Sequence, residues 1–218
     1  MFSDTIETIP PSVKHSTTIV FFHGLGESGK MWTSTLAKLR KPHTKIVCPS
    51  ADKISMTMYK GFATKSWFDM TALKEMGENE SSFLQAVDLV HVLLDKELSS
   101  SCISSKKVLI GGFSQGGALA VYAALTYHKP LAGILMLSSW IPLHIKFPNA
   151  ATNNTDIPIL QCHGTNDSVL DFQYGRRTSE VMKSFVTKHE FIIYQGLNHC
   201  TNKEELEDIK TFINKVLP

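Results

Sequence analysis

The sequence is short of several things, and each shortage excludes a class of protein. No apolar run approaches the ~18 residues that would span a bilayer, so no membrane-crossing helix is expected. Charge of one sign is scarce. The 22 Lys and Arg against 20 Asp and Glu leave a formal net charge of +2 over 218 residues, too little for a nucleic-acid-binding surface. Cysteine is also scarce, and Cys48, Cys102, Cys162 and Cys200 are scattered. No pair has the spacing of a zinc site or redox motif; no metal is expected, and no cofactor either. The first residues, Met1 to Glu7, are acidic and lack an apolar stretch, so no secretory leader is expected. Position 2 is Phe2 rather than the glycine myristoylation needs, with no cysteine nearby for palmitoylation. The thiols then read as reduced, mostly core fillers, in a cytoplasmic protein. Sequons at Asn79, Asn153 and Asn166 read as unused, since a glycan on the last would crowd Asp167.

Repeats, low-complexity tracts and linkers are absent too, which points to one domain over residues 1–218. Within it, short β-rich runs alternate with helical segments. The runs are Thr17–His23, Lys45–Cys48, Lys107–Gly112, Leu131–Leu137, Ile157–Cys162 and Glu190–Tyr194. They are nearly continuous in Val, Ile, Leu and Phe, as strands buried on both faces are, so a mostly parallel sheet is expected. Helices are expected over Gly29–Leu39, Glu80–Leu98, Gln115–Tyr127, Phe172–Phe185 and Lys203–Leu217, the last opened by an Asn202 and Glu205 capping pair. The alternation places helices on both faces of the sheet. One long irregular stretch, Pro49–Gly77, holds Met56, Met58, Met70 and Met76 with Tyr59, Phe62, Trp67 and Phe68. It reads either as a satellite core or as an apolar substrate surface.

The chemistry centres on Gly112-Phe113-Ser114-Gln115-Gly116. The pattern Gly-x-Ser-x-Gly follows an expected strand and opens an expected helix, the context a nucleophile elbow requires. The residues two before and two after the serine must lack bulk. The turn lifts Ser114 above the strand ends, where the helix N-terminus favours developing negative charge. A serine hydroxyl needs a base. Of nine histidines, His199 follows the last strand and precedes the final helix, where this architecture puts its base; His23 reads as structural. Asp167, after the preceding strand, would accept the imidazole Nδ1–H bond, with Asp171 as its rival. The oxyanion would be held by the N–H of Gln115 and by that of Leu25, in Phe22-His23-Gly24-Leu25-Gly26. That loop lacks the Lys-Ser/Thr ending of a phosphate loop. Together these residues describe a compact α/β hydrolase.

The resemblance is closer still. The stretches Phe22 to Gly29, Ser66-Trp67-Phe68-Asp69, Gly111 to Leu119, Leu137-Ser138-Ser139-Trp140-Ile141-Pro142-Leu143 and Pro158 to Gly164 together resemble the acyl-protein thioesterase / lysophospholipase family of small carboxylesterases. The likeness runs from about residue 17 to the C-terminus. It implies an α/β-hydrolase fold with no large cap domain. It implies cleavage of acyl thioesters on S-acylated proteins, with esterase and lysophospholipase side activity. Steady membrane anchoring is not implied, which leaves room for transient contact with a membrane surface. It puts Ser114, Asp167 and His199 on the family's triad positions and Leu25 and Gln115 on its oxyanion positions. It also implies that Trp67 and Val169 line an acyl-chain channel. Thr165 and Ser168 depart from the family, which has Asp and Pro there, so a looser loop is expected. Two other readings stand beside this one: a broad carboxylesterase or lysophospholipase, and an inactive acyl-binding module.

Overall fold

The computed structural model describes residues 2–72 and 77–218; Met76 lies outside them. Strands β1 (Phe2–Ile9), β2 (Thr17–Phe22), β3 (Thr44–Ala51), β6 (Val108–Phe113), β7 (Gly133–Leu137), β8 (Ile159–Gly164) and β9 (His189–Tyr194) form one sheet. Its order is β1-β3-β2-β6-β7-β8-β9. Every pairing is parallel except that of β1 with β3. A small separate hairpin joins β4 (Lys53–Ser55) to β5 (Ala63–Lys65). The helices are α1 (Gly29–Leu39), α2 (Glu80–Ser101), α3 (Gln115–Thr126), α4 (Phe172–Lys183) and α5 (Lys203–Val216). No further α-helix, and so no cap layer, occurs among the described residues.

The continuous apolar runs become strands buried on both sides. In β7, Ile134 and Met136 face one core while Leu135 and Leu137 face the other, as the two-residue period of a strand demands. The first core is completed by Phe83, Val87, Val90 and Leu94 of α2, by α3, and by Met182 of α4. The second is completed by Trp32, Leu36 and Leu39 of α1 and by Ile209, Phe212 and Ile213 of α5. Right-handed crossovers explain the division. The chain steps one way from β2 to β3 through α1, and the other way from β6 to β9 through α3 and α4, so those helices fall on opposite faces. The reversal sits between β2 and β6, and the crevice outside the carboxyl ends of the strands there is where open α/β sheets bind ligands.

The N-terminal residues form an edge strand, β1, beyond the apolar runs named from sequence. Two expectations are corrected. The stretch 49–77 is not one loop: Met56, Trp67, Phe68 and Met70 enter the first core, while Phe62, at the turn of the hairpin, is 78% exposed. Only two of the four cysteines fill the core, Cys48 and Cys162; Cys102 and Cys200 are exposed.

Helix α5 carries a buried acid. Asn202 caps it, its Oδ1 accepting the Glu205 N–H at 2.8 Å. The Glu205 side chain is 1% exposed, and its Oε2 has no partner. Burial raises its pKa to about 7, with the Asn202 amide opposing and Asp208 adding to the rise. The native state thus resists ionising this group. Its stability contribution is complete below the ordinary glutamate range and is lost as pH rises from about 4.5 to about 7. Glu205→Gln should therefore raise the melting temperature at pH 8 and change it little at pH 4. A tenfold change in proton affinity is worth about 1.4 kcal/mol, so the gain at pH 8 is of order 3 kcal/mol. Thermal melts of both proteins across that range check it, and equal shifts in melting temperature at both ends would refute it.

Candidate active site

Ser114 joins β6 to α3 with φ 52° and ψ −121°, a region that non-glycine residues avoid and that costs of order 1–3 kcal/mol. Tight packing holds it there. A Cβ on Gly112 would lie 2.3 Å from the Gly116 carbonyl carbon, and one on Gly116 would lie 2.2 Å from the Phe22 oxygen. Both glycines are therefore dictated by backbone approach. The Ser114 N–H donates to the Leu137 carbonyl (2.8 Å), and the Ser139 hydroxyl donates to the Ser114 carbonyl (2.7 Å).

His199 and Asp167 arrive from loops after β9 and β8. The imidazole Nδ1 lies 2.7 Å from Asp167 Oδ2, so Nδ1–H donates and Nε2 is left with the lone pair. The ring packs against Phe113, the residue before Ser114, with centroids 4.7 Å apart. Asp167 Oδ1 accepts the N–H groups of Val169 (3.0 Å) and Leu170 (2.8 Å). Burial alone would raise the Asp167 carboxyl; hydrogen bonds from His163, His199 and the Leu170 amide outweigh it and hold the group well below the usual carboxylate range. Asp171 does something else. Its carboxylate accepts the Gln173 N–H at 2.9 Å and caps α4.

The loop after β2 reaches the same place. Its amides are almost all engaged: Gly24 N–H donates to Glu27 Oε2 (2.9 Å), Gly26 N–H to the Lys65 carbonyl (2.8 Å) and Glu27 N–H to the Gly24 carbonyl (3.2 Å). The Leu25 N–H meets no acceptor among the described residues. The same is true of the Gln115 N–H at the start of α3, where helix amides have no intrahelical partner. The two loops are close, since a Cβ on Gly24 would lie 3.4 Å from Ser114 Cβ.

Buried side chains fix this loop from beneath. His23 accepts the Ala51 N–H at Nε2 (2.9 Å), so its Nδ1–H donates to the Gly24 carbonyl (2.7 Å). Burial lowers the His23 pKa, which suits that neutral tautomer. The Trp67 indole N–H donates to the His23 carbonyl (2.7 Å). Trp67 is 5% exposed and meets the Phe22 ring edge-on, at 84°, and the His23 ring at a tilt of 41°. These contacts make the indole a brace under the loop. The Gln115 side chain completes the brace, its Oε1 accepting the Trp67 N–H (3.1 Å) and its amide donating to the Phe68 carbonyl (3.0 Å). Val169, by contrast, is 48% exposed.

Sequence reasoning missed two residues here. Glu27 accepts both the Gly24 N–H and the Trp32 indole N–H, each at 2.9 Å. Asn198 accepts from Ser168 and His199. Glu27 left a signal, since it lies three residues after Gly24 in a tight turn. Asn198 left none, because its partner is 30 residues away. No group of three or more metal-binding side chains occurs among the described residues.

Similarity to known proteins agrees with this architecture. The profile of the phospholipase/carboxylesterase family matches residues 3–217. An acyl-protein thioesterase 1 from Mycosarcoma maydis is 33% identical, with 94% of this chain and 93% of that one covered. The crystal structure of Zea mays acyl-protein thioesterase 2 superposes with a TM-score of 0.88 at 28% identity, covering 98% and 99% of the two chains. Arabidopsis thaliana SOBER1 does so at 0.83 and 33%, covering 93% and 100%. With a mostly parallel sheet, an elbow serine and a family match along nearly its whole length, this chain belongs to the phospholipase/carboxylesterase family and is a hydrolase of the α/β-hydrolase fold.

Proposed function

We propose that the chain cleaves the acyl thioesters of S-acylated proteins with Ser114 as nucleophile, His199 as base and Asp167 as the acid that orients it. The observation that carries the reading is the 2.7 Å contact of Asp167 with His199 Nδ1, on a ring packed against the residue before the elbow serine. Ser114 Oγ attacks the thioester carbonyl carbon while His199 Nε2 takes its proton. The oxyanion is held by the free N–H groups of Leu25 and Gln115. The C–S bond then breaks, the thiol leaves with the proton from His199, and the acyl group stays on Ser114. Water, deprotonated by His199, attacks the acyl-enzyme, releases the fatty acid and restores the serine.

The thioester preference draws on the thioesterase names of the relatives. The same groups would hydrolyse carboxylic esters and lysophospholipids, and the absence of a cap layer among the described residues favours this as a side activity. The unpaired thiols suit the cytoplasm. Contact with a membrane surface would be transient, reached through lipidated substrates. No helix of the described residues is long and apolar enough to cross a membrane. The reading treats residues 1–218 as one domain with no cofactor and no nucleic-acid partner.

Turnover of p-nitrophenyl butyrate by Ser114→Ala or His199→Ala should fall roughly 10⁴–10⁶-fold, with the double variant little worse. Asp167→Asn should keep the fold and lose about 10⁴-fold, while Asp171→Asn should be mild. Substantial activity in Ser114→Ala would sink the proposal.

The pH profile follows from the electrostatics. Asp167 is held ionised far into the acid range, so only one protonation, on the base, should switch the enzyme off as pH falls. The plot of log kcat/KM against pH should descend with a slope of one. A slope of two, with Asp167→Asn restoring one, would show that Asp167 titrates as well.

Substrate length separates Trp67 from Val169. Trp67→Ala removes a buried brace and should cost about 3–5 kcal/mol of stability, lowering turnover of all chain lengths together. Val169→Ser should leave the melting temperature alone and weaken long acyl chains more than butyryl, because each methylene buried is worth about 0.8 kcal/mol. A chain-length series of esters, with thermal unfolding beside it, checks both.

A further inference from the structure

Three donors converge on the side-chain oxygen of Asn198: the Ser168 N–H (3.0 Å), the Ser168 hydroxyl (2.9 Å) and the His199 N–H (2.8 Å). Two of these are backbone amides, which can only donate, so the amide orientation is forced. Ser168 follows Asp167 and Asn198 precedes His199, so the contact closes a ring. One side of it is the Asp167–His199 hydrogen bond, and the opposite side is the Asn198–Ser168 clamp. Farther back the same two loops are tied by Thr165 N–H to the Tyr194 carbonyl (2.9 Å), Asn166 N–H to the Leu197 carbonyl (3.0 Å) and Gly196 N–H to Thr165 Oγ1 (2.8 Å).

We propose that Asn198 is a positioning residue for the reaction, clamping the loop that carries the base to the loop that carries the acid. The proposal rests on the triad reading. Asp167 is already fixed within its own loop by the Val169 and Leu170 amides. Among the described residues the His199 backbone N–H donates only to Asn198, and its ring packs on Phe113, so the clamp sets the base against a fixed acid. Ser168 is essential to this. A proline there, as in the family the sequence resembles, has neither the N–H nor the hydroxyl to give. Thr165 and Ser168 therefore tie the loop through hydrogen bonds, in place of the looser loop that their departure from the family pattern suggested. Asn198 and Ser168 are both exposed, so losing their contact should affect geometry more than global stability.

The test compares Asn198→Leu, Asn198→Asp and Ser168→Pro with the parent, using p-nitrophenyl butyrate. Asn198→Leu removes the acceptor at similar size. It should lower kcat about tenfold, with KM and melting temperature nearly unchanged, and move the acid limb of kcat/KM to lower pH as the imidazole loses its hold on Asp167. Asn198→Asp keeps an acceptor and should recover most of kcat, with the limb moved to higher pH by the added negative charge. Ser168→Pro should behave like Asn198→Leu. The low-field proton resonance of the His199 Nδ1–H should broaden in Asn198→Leu and return in Asn198→Asp, a readout independent of turnover. Unchanged kcat, pH limb and proton resonance in Asn198→Leu would overturn the clamp, as would losses that track only a lowered melting temperature. Ser114→Ala run alongside separates the two proposals. If it is inactive while Asn198→Leu matches the parent, only the clamp fails; if it is active, the triad reading fails first.

Discussion

The active end of this molecule depends on two backbones approaching closer than any side chain would allow. The first turn of α3 lies against β2 so tightly that a single methyl on Gly116 would collide with the Phe22 carbonyl. That contact holds Ser114 in its unfavourable backbone conformation. It also sets the Gln115 amide beside the loop that carries Leu25. An elbow costing of order 1–3 kcal/mol persists because loosening it would disturb two buried cores at once. Each is packed against the same central strands.

Around this fixed point the polar groups are held by neighbours with a definite hydrogen-bonding sense. His23 is buried and neutral, donating from one nitrogen and accepting at the other, so it can orient the Leu25 loop without placing a charge beneath it. Asp167 is buried and ionised, its charge met by imidazoles and backbone amides. The two arrangements suit the proposed chemistry. The oxyanion loop needs amides left free, and Leu25 keeps one because Glu27 and Lys65 occupy its neighbours. The base needs a partner that never takes its proton, and a carboxylate held far below its ordinary range meets that condition.

The central parallel strands are legible in the sequence because they are buried on both faces and so carry unbroken apolar runs. Strand β1 is hidden for the opposite reason: it is an antiparallel edge with polar, largely exposed residues such as Thr5 and Thr8. The three-residue strands of the 53–65 hairpin bury too little to leave a pattern. Among the site residues, Ser114, Asp167, His199 and Leu25 can be nominated because each follows a strand whose carboxyl end faces the same edge. Chain order alone leaves Asp167 and Asp171 as rivals, although an Asp just before a helix is the usual mark of an N-cap; in the fold Asp167 contacts His199 Nδ1 and Asp171 caps α4. The bracing contacts of Trp67 leave no mark in the sequence, because an aromatic motif does not say which way the ring points.

Asn198 shows where reading a chain in order reaches its limit. Its role is defined by a residue 30 positions earlier, and nothing in Gly196-Leu197-Asn198-His199 announces it. A loop can be stiffened in two ways: by proline, which removes freedom from the chain itself, or by cross-hydrogen bonds, which remove it only when the partner loop is in place. This chain, with serine at position 168, uses the second. Its acid is already fixed by the Val169 and Leu170 amides, so the clamp sets the base loop against that fixed partner. Exposed hydrogen bonds hold more weakly than a ring closure and exchange with water. The precision of the proposed triad should therefore depend on solvent conditions at Ser168 and Asn198, while the elbow, locked by buried backbone contacts, should not.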